Sequence, residues 1–156
     1  MIDPAFASWF SGFTDGEGCF AVYSNPHGGN KRNSLTFQIT FKIALRDDDR
    51  FILEEIQKTL GIGRMLIHTP ATAAALRVIN PKQNPWCSWT VRKKSECIIL
   101  RNIFRTYPLR TKKARDFEIW SQALDCSLAH KYGDSWEDML LLEKDLRASH
   151  KYHKIQ

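Results

Sequence analysis

The clearest pattern in the chain is an alternation of apolar and polar residues between Leu35 and Leu45. The polar or small positions of this alternation are Thr36, Gln38, Thr40, Lys42 and Ala44. A period of two predicts a long β-strand with one buried face and one polar face. Residues 19–25 precede it across a polar stretch, so the two segments are predicted to form a hairpin.

Helical signals flank this hairpin. Asp3-Pro4 starts a first helix, because aspartate caps helices and proline fits their first turn. The helix is predicted to stop within residues 14–18, where two glycines permit a tight turn. A second helix is predicted to begin at residues 47–49 and to end at Gly61. Its expected apolar stripe consists of Phe51, Leu53, Ile56 and Leu60.

The remaining pattern predicts a second hairpin and more helices. Strands are expected at residues 64–68, 76–79 and 86–91, and helices near 95–106, 112–130 and 136–149. This order predicts an α+β fold with an antiparallel sheet covered by helices on one side. We expect residues 1–156 to form a single domain, since a chain of this length buries one continuous core.

Composition and charge narrow the classes of function. Hydrophobic residues make up 43% and charged residues 26%, which is typical of a folded soluble protein. Lysine and arginine number 23 against 17 acidic residues, and this excess indicates either a polyanionic partner, nucleic acid first, or an ordinary solvated basic surface. The four cysteines are scattered, so we expect reduced thiols in an intracellular compartment. Neither a membrane span nor a signal peptide is predicted.

Residues 10–18 carry the most specific motif, Phe10-Ser11-Gly12-Phe13-Thr14-Asp15-Gly16-Glu17-Gly18. Further landmarks follow in order: Phe41-x-Ile43-x-Leu45 leading to Asp48, then Leu60-Gly61-Ile62-Gly63, then Tyr107-Pro108-Leu109 with Thr111-Lys112-Lys113. Together they resemble the signature and layout of the LAGLIDADG homing endonucleases over roughly residues 5 to 120. The resemblance implies an αββαββα fold whose antiparallel sheet forms a DNA-binding saddle.

The motif also has a physical interpretation. Ser8, Ser11 and Gly12 form a small-residue face, so a second such helix could approach closely. Paired helices would bring two Glu17 carboxylates together beside backbone carbonyls such as that of Gly16. Hard cations such as Mg²⁺ or Mn²⁺ prefer these oxygen ligands, and paired metals can promote phosphodiester hydrolysis. The alternative is a capped helix followed by an ordinary turn.

The resemblance implies further roles. A chain with a single motif is expected to act as a homodimer on a roughly palindromic double-stranded DNA target. Glu17 is expected to be catalytic and to hold metal, and Asp15 to cap or brace helix ends at the dimer interface. A basic residue near the scissile phosphate is expected after the Pro-Leu landmark, and Lys112 and Lys113 are both candidates.

The polar faces of the two hairpins are the predicted DNA-binding surface, because a two-stranded ribbon fits the major groove. In the first hairpin and its tip the candidates are Ala21, Tyr23, Asn25, Asn30, Lys31, Arg32, Ser34, Thr36, Gln38, Thr40 and Lys42. In the second hairpin they are Arg64, Leu66, His68, Arg77, Ser88 and Thr90. A solvated sheet face is the alternative.

The resulting expectation is a site-specific, metal-dependent DNA endonuclease. A non-cleaving binder on the same fold, such as an intron maturase or a regulator, is the main rival. A metal-dependent hydrolase of small molecules is less favoured, since a small substrate needs an enclosed apolar pocket. The resemblance implies mobile introns or inteins, and leaves open bacterial or archaeal cytoplasm and organelles (mitochondrion or chloroplast).

Overall fold

A computed structural model of the chain describes residues 2–26, 35–68, 84–131 and 134–150. Its first element is helix α1, Pro4–Glu17, whose N-terminus forms as predicted: Asp3 Oδ2 accepts a hydrogen bond from Phe6 N at 2.9 Å. The helix also ends within the predicted residues 14–18, but the predicted tight turn does not form. The helix continues through Asp15 and Gly16 and ends at Glu17, directly before the first strand.

Among the described residues, four strands form one antiparallel sheet in the order β1-β2-β4-β3. They are β1 Gly18–Pro26, β2 Leu35–Arg46, β3 Arg64–His68 and β4 Trp86–Val91. The predicted hairpin of β1 and β2 is confirmed, with Tyr23 opposite Gln38. The strand predicted at 76–79 lies outside the described residues.

Four further α-helices follow the first hairpin in the part of the chain that the structure describes. They are α2 Arg50–Leu60, α3 Lys94–Thr106, α4 Lys113–Ala129 and α5 Glu137–Ser149. Gly61 ends α2 as predicted, in the left-handed conformation with φ 65°. The predicted apolar stripe of α2 is correct for Leu53 and Ile56, which are fully buried, but Phe51 is 60% exposed. No described helix combines the length and the apolar character that crossing a membrane requires.

The core lies between one face of the sheet and the helices, so the predicted α+β arrangement is confirmed. Phe41 of β2 and Trp89 of β4 are fully buried, with ring centroids 6.0 Å apart, and Phe104 of α3 lies 5.7 Å from Phe41. Trp120 of α4 donates its indole N–H to the backbone carbonyl of Thr40 at 3.0 Å. Aromatic packing and this buried hydrogen bond attach the helices to the central strands.

The outer edge of the sheet at β1 is covered by α5. Glu143 of α5 is buried, and its Oε1 accepts a hydrogen bond from the backbone N–H of Ser24 at 3.2 Å. The same oxygen pairs with Arg147 at 2.5 Å, one helical turn further along. The Glu143 side chain thus occupies the backbone N–H of Ser24 at the sheet edge. That N–H is therefore not free to pair with a further strand. The opposite face of the sheet, which we call the open face, is not covered by any described helix.

Candidate functional site

The C-terminal end of α1 carries the predicted metal-holding residue. Glu17 is the last residue of the helix and is exposed, as is Gly16 before it. Gly18 follows with φ −69°, so no left-handed turn separates helix and strand, contrary to the predicted glycine-flanked turn. Gly18 is required for another reason: an added Cβ would lie 2.7 Å from the Thr14 carbonyl oxygen and 3.2 Å from the Phe41 ring.

Asp15 connects this helix end to a distant segment. Its Oδ2 accepts a hydrogen bond from Arg110 N at 2.9 Å, and its Oδ1 accepts bonds from Thr111 N at 3.0 Å and Thr111 Oγ1 at 2.8 Å. Partial burial raises the pKa of Asp15, but the hydrogen bonds from Thr111 and Arg110 outweigh it. The pKa therefore lies below its usual value of 3.8. Asp15 is thus a charged anchor for the 110–111 backbone.

The two predicted lysines directly follow this anchored backbone. Thr111 Oγ1 accepts a hydrogen bond from Lys113 N at 3.2 Å, and the Lys112 carbonyl accepts one from Arg115 N at 3.1 Å at the start of α4. The Lys112 side chain is exposed, and Lys113 is half-buried. Asp15 therefore links the Glu17 helix end to a basic segment, residues 110–113, some 95 residues away in the chain.

The small-residue face of α1 differs in part from the prediction. Ser8 and Gly12 are exposed, and a Cβ added at Gly12 would meet no atom within 4 Å. Ser11 is instead buried, because it points toward α3 and donates its hydroxyl to the Tyr107 carbonyl at 2.8 Å. The prediction of Ser11 as an interface residue is therefore corrected. The exposed small residues at helical spacing are Ala5, Ser8, Gly12 and Gly16.

The donor set at this end suits a divalent cation only in part. Glu17 supplies a hard carboxylate, and the last carbonyls of a helix are oxygen ligands at the negative end of its dipole. Within residues 2–26, 35–68, 84–131 and 134–150, no three His, Cys, Asp or Glu side chains form a metal-binding group. One chain therefore offers part of an oxygen-ligand set, which a second α1 end could complete.

The open face carries most of the predicted DNA-binding residues, as strand alternation requires. Those exposed or half-buried on it are Tyr23, Asn25, Thr36, Gln38, Lys42, Arg64, Leu66 and His68. The short side chains Ala21, Thr40, Ser88 and Thr90 are only 1–8% exposed, because longer neighbours surround them. They form the floor of a groove and do not project from it, which the sequence did not predict. Asn30, Lys31, Arg32, Ser34 and Arg77 lie outside the described residues.

The same groove is lined by further residues that sequence reasoning missed, among them Cys19, Trp86 and Arg92. Strand parity could have identified them, since Trp86 and Arg92 alternate in phase with Ser88 and Thr90, and Cys19 pairs with Lys42. The Trp86 indole stacks on the His68 ring, with centroids 3.6 Å apart and planes 9° from parallel. Burial, and then the positive charge of Lys42, lower the pKa of His68 below 6.5.

Comparison with known proteins agrees with the motif and the fold. A family model described as LAGLIDADG endonuclease matches residues 10–124. The chain is 28% identical over 120 residues to the probable intron-encoded endonuclease Cox1-I1b of Schizosaccharomyces pombe. That match covers 76% of this chain and 27% of the relative, so the chain spans about a quarter of that protein.

Solved structures share the fold. The LAGLIDADG meganuclease I-AabMI, bound to uncleaved DNA, is 25% identical with a TM-score of 0.68, over 92% of this chain and 43% of that one. The archaeal intron-encoded homing endonuclease I-Vdi141I, complexed with DNA, is 20% identical with a TM-score of 0.71, over 99% of this chain and 91% of that one. The predicted family fold is therefore confirmed, and the chain belongs to the LAGLIDADG endonuclease family.

Proposed function

We propose that this chain cuts double-stranded DNA at a specific site by metal-dependent phosphodiester hydrolysis, as a pair of identical chains. One observation carries the proposal: the Asp15 carboxylate joins the Glu17 helix end to the basic segment 110–113. An acidic metal ligand and nearby cations are the groups that phosphodiester hydrolysis requires.

The roles of the chain's own residues follow from their chemistry. Glu17 and the Gly16 carbonyl would hold Mg²⁺ or Mn²⁺, which when bound activates water and neutralises phosphate charge. Lys112 and Lys113 would attract the phosphate and stabilise the negative charge that develops on it. Asp15 keeps the backbone that carries these lysines at the helix end.

A second copy would supply the other half of the site. The exposed small residues Ser8 and Gly12 allow two α1 helices to approach closely, and two-fold pairing would bring together two Glu17 carboxylates and two open faces. Pairing also doubles the net charge of +6 that a DNA target would meet.

Gly12→Leu tests this arrangement. The substitution places a large side chain where the helices would touch, and overpacking costs roughly 1–3 kcal/mol. We expect weaker dimerisation by sedimentation, while Ala5→Ser, a change between small residues on the same face, should leave the dimer intact. An unchanged dimer for Gly12→Leu would place the interface elsewhere.

DNA recognition is proposed for the open face of the sheet. Gln38 and Lys42 are suited to adenine and guanine respectively in the major groove. Asn30, Lys31, Arg32, Ser34 and Arg77 remain predicted contacts. The relative in Schizosaccharomyces pombe is named a probable intron-encoded endonuclease, which supports a role in intron mobility. The compartment remains a prediction between bacterial or archaeal cytoplasm and an organelle.

The second candidate function is nucleic-acid binding without cleavage. A non-cleaving nucleic-acid binder, such as an intron maturase or a regulator, would use the same open face without a complete metal site. The incomplete ligand set of one chain, among its described residues, is the observation that favours it.

The deciding experiment is cleavage-site selection from a genomic or randomised double-stranded DNA library with Mg²⁺ or Mn²⁺. The wild-type chain is expected to cut a recurring sequence, and Glu17→Gln to bind that sequence without cutting it. Glu55→Gln, which removes an exposed carboxylate on α2, serves as the matched control and should cut normally. Binding without cutting by the wild type with either metal would favour the non-cleaving function. Cutting by Glu17→Gln at near wild-type rate would remove Glu17 from the site.

A further inference from the structure

Three strands bring an unusual cluster together on the open face. Trp86 of β4 lies directly opposite His68 of β3, and their rings stack at 3.6 Å. The Lys42 ammonium, from β2, lies over the Trp86 ring, 4.8 Å from its centroid. A cation within about 6 Å of an indole centroid is attracted by the electron density of the ring face.

The strand register explains how Lys42 reaches Trp86. Lys42 lies opposite Thr90, and Trp86 lies opposite Arg46, with the Ala44–Ser88 pair between them. Ala44 and Ser88 carry short side chains, so they leave room for the lysine to extend along the strands. The stacked His68 ring in turn holds the indole in one orientation.

The electrostatics of the cluster favour this arrangement. Burial and the neighbouring Lys42 charge lower the pKa of His68 below 6.5, so the imidazole is neutral at pH 7 and above. A neutral imidazole stacks on the indole without adding a second positive charge beside Lys42. Lys42 is therefore the cation of the cluster under these conditions.

A lysine fixed before binding has an advantage in recognition. Lysine has a flexible four-carbon stem, and ordering such a side chain on binding opposes affinity. Attraction to Trp86 restricts the conformations of the Lys42 side chain in the free protein. Less conformational entropy is therefore lost when its ammonium group contacts a base edge. Lysine in the major groove recognises guanine O6 and N7.

We propose that Trp86 is a positioning residue for base recognition, which holds Lys42 so that it reads one guanine in each half-site of the DNA target. This inference rests on the proposed DNA-binding function. It assigns to Trp86 an effect on specificity that acts through Lys42 and not through a DNA contact of its own.

The test is binding-site selection on double-stranded DNA with the full chain and variants at two positions. Lys42→Met should lower the guanine preference at one mirror-related pair of positions by roughly 5- to 100-fold. Trp86→Leu should lower the preference at those same positions by roughly 2- to 30-fold, the range of a cation–π contact. Trp86→Phe keeps an aromatic face and should retain most of the preference. The double variant should resemble Lys42→Met alone.

Three outcomes would overturn the inference. Trp86→Leu could leave the guanine preference unchanged, or change it at positions that Lys42→Met does not affect. It could also add a further loss of preference in the Lys42→Met background. Melting temperatures check that the variants fold. Should Trp86→Leu unfold, His68→Leu releases the indole and must produce a smaller loss at the same positions. A wild-type chain that selects no double-stranded sequence would instead refute the proposed function itself.

Discussion

The C-terminal end of α1 and the open face of the sheet are held in place by different kinds of contact. At the helix end, one carboxylate, Asp15, accepts the hydrogen bonds that fasten Arg110 and Thr111 across 95 and 96 residues of sequence. On the open face, backbone pairing of β1 with β2, and of both β2 and β3 with β4, sets which residues lie next to one another.

This difference determines how each region should respond to substitution. At the helix end a single side chain, Asp15, holds the backbone of a distant segment, so its loss should displace that segment. The open face lies on paired strands, so one substitution leaves the backbone in place and affects only the side chains that contact the altered residue, as Lys42 contacts Trp86. We therefore expect large effects on cleavage at the first region and small, position-specific effects at the second.

Asp15→Asn should produce the largest effect. An asparagine presents an N–H₂ group where either Arg110 N or Thr111 N needs an acceptor and has no negative charge, so segment 110–113 loses part of its anchor. Displacement of catalytic groups by about 1 Å can cost roughly 100-fold in rate, and we expect a loss of this order in single-turnover cleavage. DNA affinity should change far less, which gel-shift titration would check.

Asp3→Asn is the matched control for that variant. It makes the same substitution at the other end of α1, where the side chain accepts a hydrogen bond from Phe6 N and asparagine caps equally well. Equal loss of cleavage in both variants would point to general damage to α1 and would contradict a specific role for Asp15.

The stability of the Asp15 anchor should depend on pH. Because the pKa of Asp15 is lowered from 3.8, its charged form is stabilised by folding. That contribution is fully present above pH 3.8 and is lost as pH falls through the lower pKa of the folded state. Since Asp15 is largely solvated, we expect about 1 kcal/mol.

Denaturant unfolding of wild type and Asp15→Asn across a pH series measures this contribution. The difference in the free energy of unfolding should be constant near neutral pH and should shrink below pH 3.8. A difference that stays the same in acid would mean that the Asp15 charge is not what holds the 110–111 backbone.

Gln38→Ala should produce the smallest and most local effect. The side chain is half-buried on the open face, so we expect the free energy of unfolding to change within about 0.5 kcal/mol. Its proposed base contact predicts a loss of roughly 1–3 kcal/mol of preference at one mirror-related pair of positions. The dependence of binding on salt should hardly change, because no phosphate contact is removed.

Lys144→Ala, on the outer helix α5, is the control for Gln38→Ala. It removes an exposed charge away from the open face and should leave the selected sequence unchanged. If Gln38→Ala also leaves the selected sequence unchanged, recognition must lie elsewhere on the open face or in the second hairpin.

Local periodicity was sufficient to predict much of this molecule. The alternation between Leu35 and Leu45 predicted β2, its buried side and its pairing with β1, because successive side chains of a strand point to opposite faces. Asp3-Pro4 and Gly61 predicted helix ends correctly, because capping depends on residues within one turn. The nonapeptide and its landmarks predicted the family, which the match over residues 10–124 shows.

Contacts between distant segments decided the rest. Burial of Ser11 against Tyr107 and the anchoring of Thr111 by Asp15 join residues 96 positions apart, and no local period encodes such pairs. The recessed position of Thr40 and the stacking of Trp86 with His68 depend on the lengths of neighbouring side chains across three strands. The sequence by itself determined which residues share a face; only tertiary packing decided which of them project from it and which distant backbone they hold.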